Sequence, residues 1–226
     1  MSNGVKIRAK AAVVIDQVTQ KGRSLDRAIE VIGLDKNSKQ KSLFMAICYG
    51  VIRHYWELQA DLNRYISRPI KKKDSVIENL IVSGLFQIKY TRIPAHAVVV
   101  QTVEAAKDLK KHNLSAFVNA VLRKYLRTSN SANMVLEDQA IYNHPQWLLD
   151  QFREDWPDHW QEICKNNNIQ GPMWLRVNRK KIETKKYLST ILESLNKSSE
   201  ETGYIGDLDH SICLNDPLSV DLLPNF

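Results

Sequence analysis

Between Arg92 and Tyr125 the chain reads RIPAHAVVVQTVEAAKDLKKHNLSAFVNAVLRKY, and this stretch admits little except two consecutive helices. Pro94 suits a first helical turn, where its missing N–H costs nothing. His96, Val99, Val100, Val103 and Ala106 then repeat at i, i+3, i+4, i+7 spacing, which predicts one amphipathic helix with His96 in the core or at the cap. After a polar break at Lys110-Lys111-His112-Asn113, Leu114, Phe117, Val118, Val121, Leu122 and Tyr125 mark a second buried face, while Asn119, Arg123, Lys124 and Arg127 lie off it. The second helix therefore buries one side and offers cations on the other. If the Phe117 ring is central to that core, its truncation to alanine costs about 3–5 kcal/mol.

Helical signals also fill the chain ahead of this stretch. Ile7, Ala11, Val14, Ile15 and Val18 form one stripe with Lys6, Lys10 and Gln17 on its flank, and Gly22 ends that helix. Ser24 can cap a short helix that Gly33 closes. From Ser38 to Ile66 an apolar series supports long helical structure, with Gly50 as a kink or break, and the pattern fits one helix or two. Arg68-Pro69 interrupts it, Lys71-Lys72-Lys73 follow, and Ser75 and Glu78 stand at capping-box spacing before the face of Val76, Ile77, Leu80, Ile81, Leu85 and Ile88. Gly84 on that face allows a neighbouring helix to come close.

The second part of the chain differs in kind. Thr128 to Asn133 is rich in Ser, Thr and Asn, and the charge balance changes sign there, which places a domain boundary at this point. Residues 1–127 hold 23 Lys or Arg against 10 Asp or Glu, whereas residues 128–226 hold 9 against 15, so the formal charge of +7 conceals a strongly basic half. A field of that sign suits phosphate. Pro145 opens a stretch with Trp147, Trp156 and Trp160, whose spacing predicts core or interdomain packing. Met173 to Asn178 alternates as a strand does, Lys185 to Leu195 has helical content, and Ser211 to Leu214 suits another strand.

The pair IPAHAVVVQTVEAAK and FVNAVLRKY resembles the NusB-like RNA-binding domain in order and spacing. NHPQWLLDQF (Asn143 to Phe152) and GPMWLRVNRK (Gly171 to Lys180) resemble segments that follow this domain in the Sun/Fmu/RsmB family of small-subunit ribosomal RNA methyltransferases. The resemblance implies a mainly α fold, with a NusB-like helical bundle over residues 1–130. Residues 131–226 would supply a linker helix and a small, incomplete α+β module. As function it implies the RNA-binding, substrate-positioning N-terminal region of an S-adenosylmethionine-dependent 16S ribosomal RNA cytosine-5 methyltransferase, with small-subunit ribosomal RNA as partner. The family's D-x-C-A-A-P-G-G-K-T-like cofactor loop and its Pro-Cys and Thr-Cys pairs do not occur in the chain. No catalytic or cofactor-binding residue is therefore assigned, and S-adenosylmethionine is expected only with the catalytic domain that is missing in cis.

The candidate RNA contacts are cations, because Lys and Arg neutralise phosphates and release counterions. In the resemblance the basic first helix touches RNA, which maps onto Lys6, Arg8 and Lys10. Lys71, Lys72 and Lys73 precede a helix N-terminus, whose dipole adds to phosphate attraction. Arg123, Lys124 and Arg127 serve equally as phosphate contacts or as partners for acids of a neighbouring helix. Arg176, Asn178 and Arg179 can meet RNA at the entrance to the family's catalytic half, unless Trp174 and Val177 only pack and Arg176 pairs an acid. Cys48, Cys164 and Cys213 show no C-x-x-C pair, which speaks against a disulfide framework and a zinc site and fits a reducing, cytoplasmic compartment, with Cys48 in the core. The six histidines offer no metal-ligand spacing, and no apolar run approaches the about 20 residues of a membrane span. Two other readings remain: a free-standing NusB-like antitermination factor, and a helical protein-interaction module whose basic residues scatter over the surface.

Overall fold

The computed structural model describes residues 3–33, 40–128, 137–195 and 202–224. The chain divides into two compact units, Met1–Asn168 and Ile169–Phe226. In the first, α1 (Asn3–Lys21), α2 (Leu25–Ile32), α3 (Lys41–Arg53), α4 (Tyr55–Tyr65), α5 (Ser75–Tyr90), α6 (Ala95–Asp108) and α7 (Ser115–Thr128) form a helical bundle. Ser24 caps α2 by accepting from the Arg27 N–H, and Gly33, at φ 60°, closes it in the left-handed region that glycine tolerates. α5 is the central element. Nearly every residue from Ile77 to Gln87 is buried, as expected of a helix surrounded on all sides. Its buried donors are bonded: Ser83 donates to the Leu80 carbonyl, the Gln87 amide N–H to the Ser83 carbonyl, and the Asn79 amide N–H to Asp16 and Thr19, while the Asn79 and Gln87 side-chain oxygens find no partner among the described residues.

Several local expectations change on packing. The 38–66 series is two helices, and their joint is His54 (φ −105°, ψ 22°), not Gly50. Gly50 stays helical and lies under Phe86, where a Cβ would stand 2.0 Å from the ring carbon Cζ. Gly84 does admit close neighbours: a Cβ there would meet Leu122 at 3.1 Å and Thr102 at 3.4 Å, where α5, α6 and α7 converge. The buried row of α6 is Val98, Val99, Thr102, Ala105 and Ala106, so His96 is exposed and Val100 is 57% exposed. Packing of α6 against both α1 and α5 turns the helix so that its small residues face inward. Ser75 forms no capping box with Glu78. A 3-10 turn (Lys72–Asp74) leads into α5, and Asp74 is held by Lys111 instead. Phe117 is only half-buried, at the rim of the core.

The first unit extends past the polar stretch that marked the expected boundary at residues 128–133. α8 (Asp138–Tyr142), α9 (Gln146–Asp155) and α10 (Trp160–Asn167) belong to it. The start of α4 has free backbone donors and no side-chain cap from His54. Asn143, left-handed at φ 54° at the end of α8, supplies the acceptor: its Oδ1 receives the Glu57 N–H at 3.0 Å. The expected packing role of the tryptophans holds for Trp160, which meets Tyr142 edge-on at 4.8 Å and lies under Arg153 at 4.3 Å. It fails for Trp147 and Trp156, which are 70% and 55% exposed.

A charged seam joins α4 to α5. Lys89 donates to Glu57 and, at 3.2 Å, to Asp61; Tyr90 donates to Glu57, and the His54 ring stacks on Tyr90 at 4.2 Å. Burial holds His54 below its ordinary 6.5, outweighing the pull of Glu57. Burial also raises Glu57, but the bonds from Lys89 and Tyr90 and the lysine charge reverse this and leave it below 4.5. Both groups bind fewer protons folded than unfolded, so their contribution is present above these values and lost as pH falls through the folded ones. The urea midpoint of unfolding is expected to decline below about pH 6.5 and again below about 4.5. His54→Asn should remove the first decline; a midpoint that rises between pH 7 and 5 would contradict the assignment.

The second unit is an α+β module. β1 (Met173–Arg176), β2 (Gly203–Ile205) and β3 (Ser211–Leu214) form an antiparallel sheet in the order β1-β3-β2, with α11 (Thr184–Leu195) on one face. Leu175, Val177, Tyr187, Ile191, Ile212, Leu214 and Leu223 are its core. Period-two alternation marks β1, and Ser211 to Leu214 forms the other expected strand, but the three-residue β2 lies below what such a pattern resolves.

Candidate nucleic-acid interface

The basic flank of α1 is thinner in space than in sequence. Lys6 is exposed, and Lys10 donates to the Gly33 carbonyl at 3.0 Å. Arg8 is 2% exposed and does not belong to the flank. Two residues along a helix is a rotation of roughly 200°, so Arg8 points away from Lys6 into the seam with α6. There it donates to the Gly4 carbonyl at 3.0 Å and to Gln101, and burial lowers its pKa to about 10.

Lys71, Lys72 and Lys73 are exposed and form no ion pair among the described residues. Arg68, Lys71 and Lys73 line a recess of about 360 Å³ together with the apolar Ile70 and Phe117. Lys111 reaches the same turn, bonding Asp74 at 2.6 Å and the Lys73 carbonyl at 3.4 Å. Those bonds, more than its partial desolvation, hold Asp74 below the usual carboxylate range, so the acid of the turn is neutralised from within. Arg68 and Lys111 were not singled out from the sequence. Arg68 stands before Pro69, three residues ahead of the run, and Lys111 sits in a distant polar break that only the fold brings to it.

Arg123, Lys124 and Arg127 share one exposed ridge of α7. Arg123 donates to Asn119 at 2.9 Å, and Lys124 lies over the Tyr65 ring at 5.9 Å. None of the three meets an acid among the described residues, so the alternative of pairing with a neighbouring helix is not what they do. Five acids of the bundle pair with other cations: Glu57 and Asp61 with Lys89, Asp74 with Lys111, Glu104 with Lys107 and Glu30 with Arg27. The lysine run and the α7 ridge are left exposed to solvent.

In the second unit Arg176, Asn178 and Arg179 are exposed and, with Lys180 and His210, line an open recess of about 570 Å³. Asn178 shapes it, accepting from the Lys180 N–H at 3.1 Å and, on its carbonyl, from the Lys181 N–H at 2.8 Å. Val177 packs inside, as expected of the strand, but Trp174 is 56% exposed. The three cysteines are free and buried, and burial pushes the Cys48 thiol up to about 12, the reverse of an activated thiolate. Among the described residues no group of side chains suits a metal ion, and no helix is long and apolar enough to cross a membrane.

Residues 5–127 match the NusB family, and residues 144–221 match the ferredoxin-like domain of RsmF/B-like methyltransferases. Over its whole length the chain is 35% identical to ribosomal RNA small subunit methyltransferase B of Klebsiella pneumoniae subsp. pneumoniae, covering 52% of that protein. It is 36% identical over 98% of its length to the protein of the same name in Vibrio cholerae serotype O1, covering 51% of it. The chain spans about half the length of these relatives. The crystal structure of PH0851 shares the fold at a TM-score of 0.60 and 10% identity, over 98% of this chain and 50% of that one.

Proposed function

Because the chain belongs to the NusB family through residues 5–127, we propose that its helical unit binds structured ribosomal RNA through Lys71, Lys72, Lys73, Arg123, Lys124 and Arg127, with Lys6 and Lys10 as lesser contacts. Arg176, Asn178 and Arg179 extend the contact into the second unit. On this reading the 226 residues are the substrate-positioning region of a cytoplasmic 16S ribosomal RNA cytosine-5 methyltransferase. The S-adenosylmethionine site and the cysteine that attacks the base belong to the other half of such a protein. The observation that carries the proposal is the combination of whole-chain similarity to small-subunit methyltransferase B with cations that have no acidic partner. A free-standing antitermination factor does not account for the ferredoxin-like match over residues 144–221.

Fluorescence anisotropy with a small-subunit RNA hairpin tests this reading. Affinity is expected to fall steeply and log-linearly with salt, because the contacts are mostly phosphate. Absence of salt-dependent RNA binding would overturn it.

A further inference from the structure

We propose that the open face of the β1-β3-β2 sheet is a stacking platform for unpaired nucleotides, built on Trp174 and Tyr204; this rests on the RNA-binding reading above. Side chains alternate along a strand, so the face opposite the core carries Trp174 and Arg176 from β1, Ser211 and Cys213 from β3, and Tyr204 from β2. Trp174 and Tyr204 are both paired in register with Cys213. A small residue on the middle strand lets the two large rings lean together over it: they meet edge to face at 6.3 Å, and Cys213 beneath them is 1% exposed. The rings themselves remain 56% and 53% exposed.

The indole is also seated. Gly206 follows β2, and a Cβ there would stand 2.5 Å from Trp174 Cζ3, so the ring occupies the space a side chain would need. One edge of the ring is set against Gly206, while the indole as a whole stays more than half exposed. That is the arrangement base stacking uses, since every base offers a π-face and stacking tolerates any sequence. The rim selects the occupant. Arg176 lies two residues from Trp174 on the same face, and Arg179, Lys180 and His210 line the adjoining recess, so the ligand carries negative charge beside flat apolar rings. Asp207, next to Gly206, is an acid at the Tyr204 end. The phosphates of a bound strand accordingly run on the Arg176 side.

The test measures binding of a 12-nucleotide oligouridine and of an RNA duplex to the 226-residue chain at one salt concentration. Trp174→Ala and Tyr204→Ala are each expected to weaken oligouridine about tenfold and duplex less than about twofold, in line with loss of one stacked base. Trp174→Phe should retain most of the affinity. Gly206→Ala should lower it by unseating the indole, and Asp207→Asn should raise it about twofold. Circular dichroism of each variant identifies any that fails to fold, and Trp174→Phe and Asp207→Asn keep the proposal testable if the alanine variants do. Equal loss for duplex and single strand, or no loss, overturns the platform while leaving the RNA-binding reading intact. Failure of the unaltered chain to bind any RNA overturns both. Self-association that Trp174→Ala dissolves would assign the face to a second copy and overturn the proposal.

Discussion

Replacing Lys71, Lys72 and Lys73 together by alanine is expected to weaken RNA binding by on the order of 10²–10³-fold at 0.1 M salt. Each phosphate contact contributes a salt slope of about 0.9, so three lost contacts remove nearly three units of slope and a matching factor in affinity. The lysines are exposed, and the acid of their own turn, Asp74, is bonded by Lys111, so none of the three forms an ion pair among the described residues. Folding should be untouched, since none of the three is buried. Lys6→Ala should reduce the slope by at most about one unit. A triple variant with an unchanged slope would take the turn before α5 out of the interface. Arg8→Ala is a different experiment, because it opens the buried seam between α1 and α6 and reports on stability.

Leu122→Ala should destabilise the helical unit by about 3–4 kcal/mol, whereas Phe117→Ala should cost about half as much. Leu122 is fully buried and sits within 3.1 Å of where a Gly84 side chain would begin, so little can move into the space it vacates. Phe117 stands at the rim beside Arg68 and Lys71, where water replaces the ring. Urea unfolding of the two variants measures the difference; equal losses would mean that Phe117 reaches the core after all.

What was legible in the sequence was what one element decides alone. The start of α2 at Ser24 and its stop at Gly33, the buried face of α7 and the strands at Met173 and Ser211 all rest on local spacing or local capping chemistry. Arg8 was misplaced because adjacency in sequence is not adjacency around a helix. His96 and Val100 lie on the apolar stripe of α6, yet the choice of inward face was made by small residues that let α6 approach α1 and α5. Gly50 carries the same letter in a kink and in a close approach, and only the Phe86 ring tells the two apart. The neutralisation of Asp74 needed Lys111 from a connection far along the chain. The aromatic pair of the sheet needed a strand too short to announce itself.

The bond from Asn143 to the Glu57 N–H also bears on how such a chain is inherited. Sequence kinship places a border after residue 127, whereas compactness places one after Asn168. The stretch that matches the NusB family is therefore shorter than the compact unit that contains it. A gene fusion cut at residue 127 would carry α4 without its distant acceptor and without α8, and a graft joined after Asn168 would carry both.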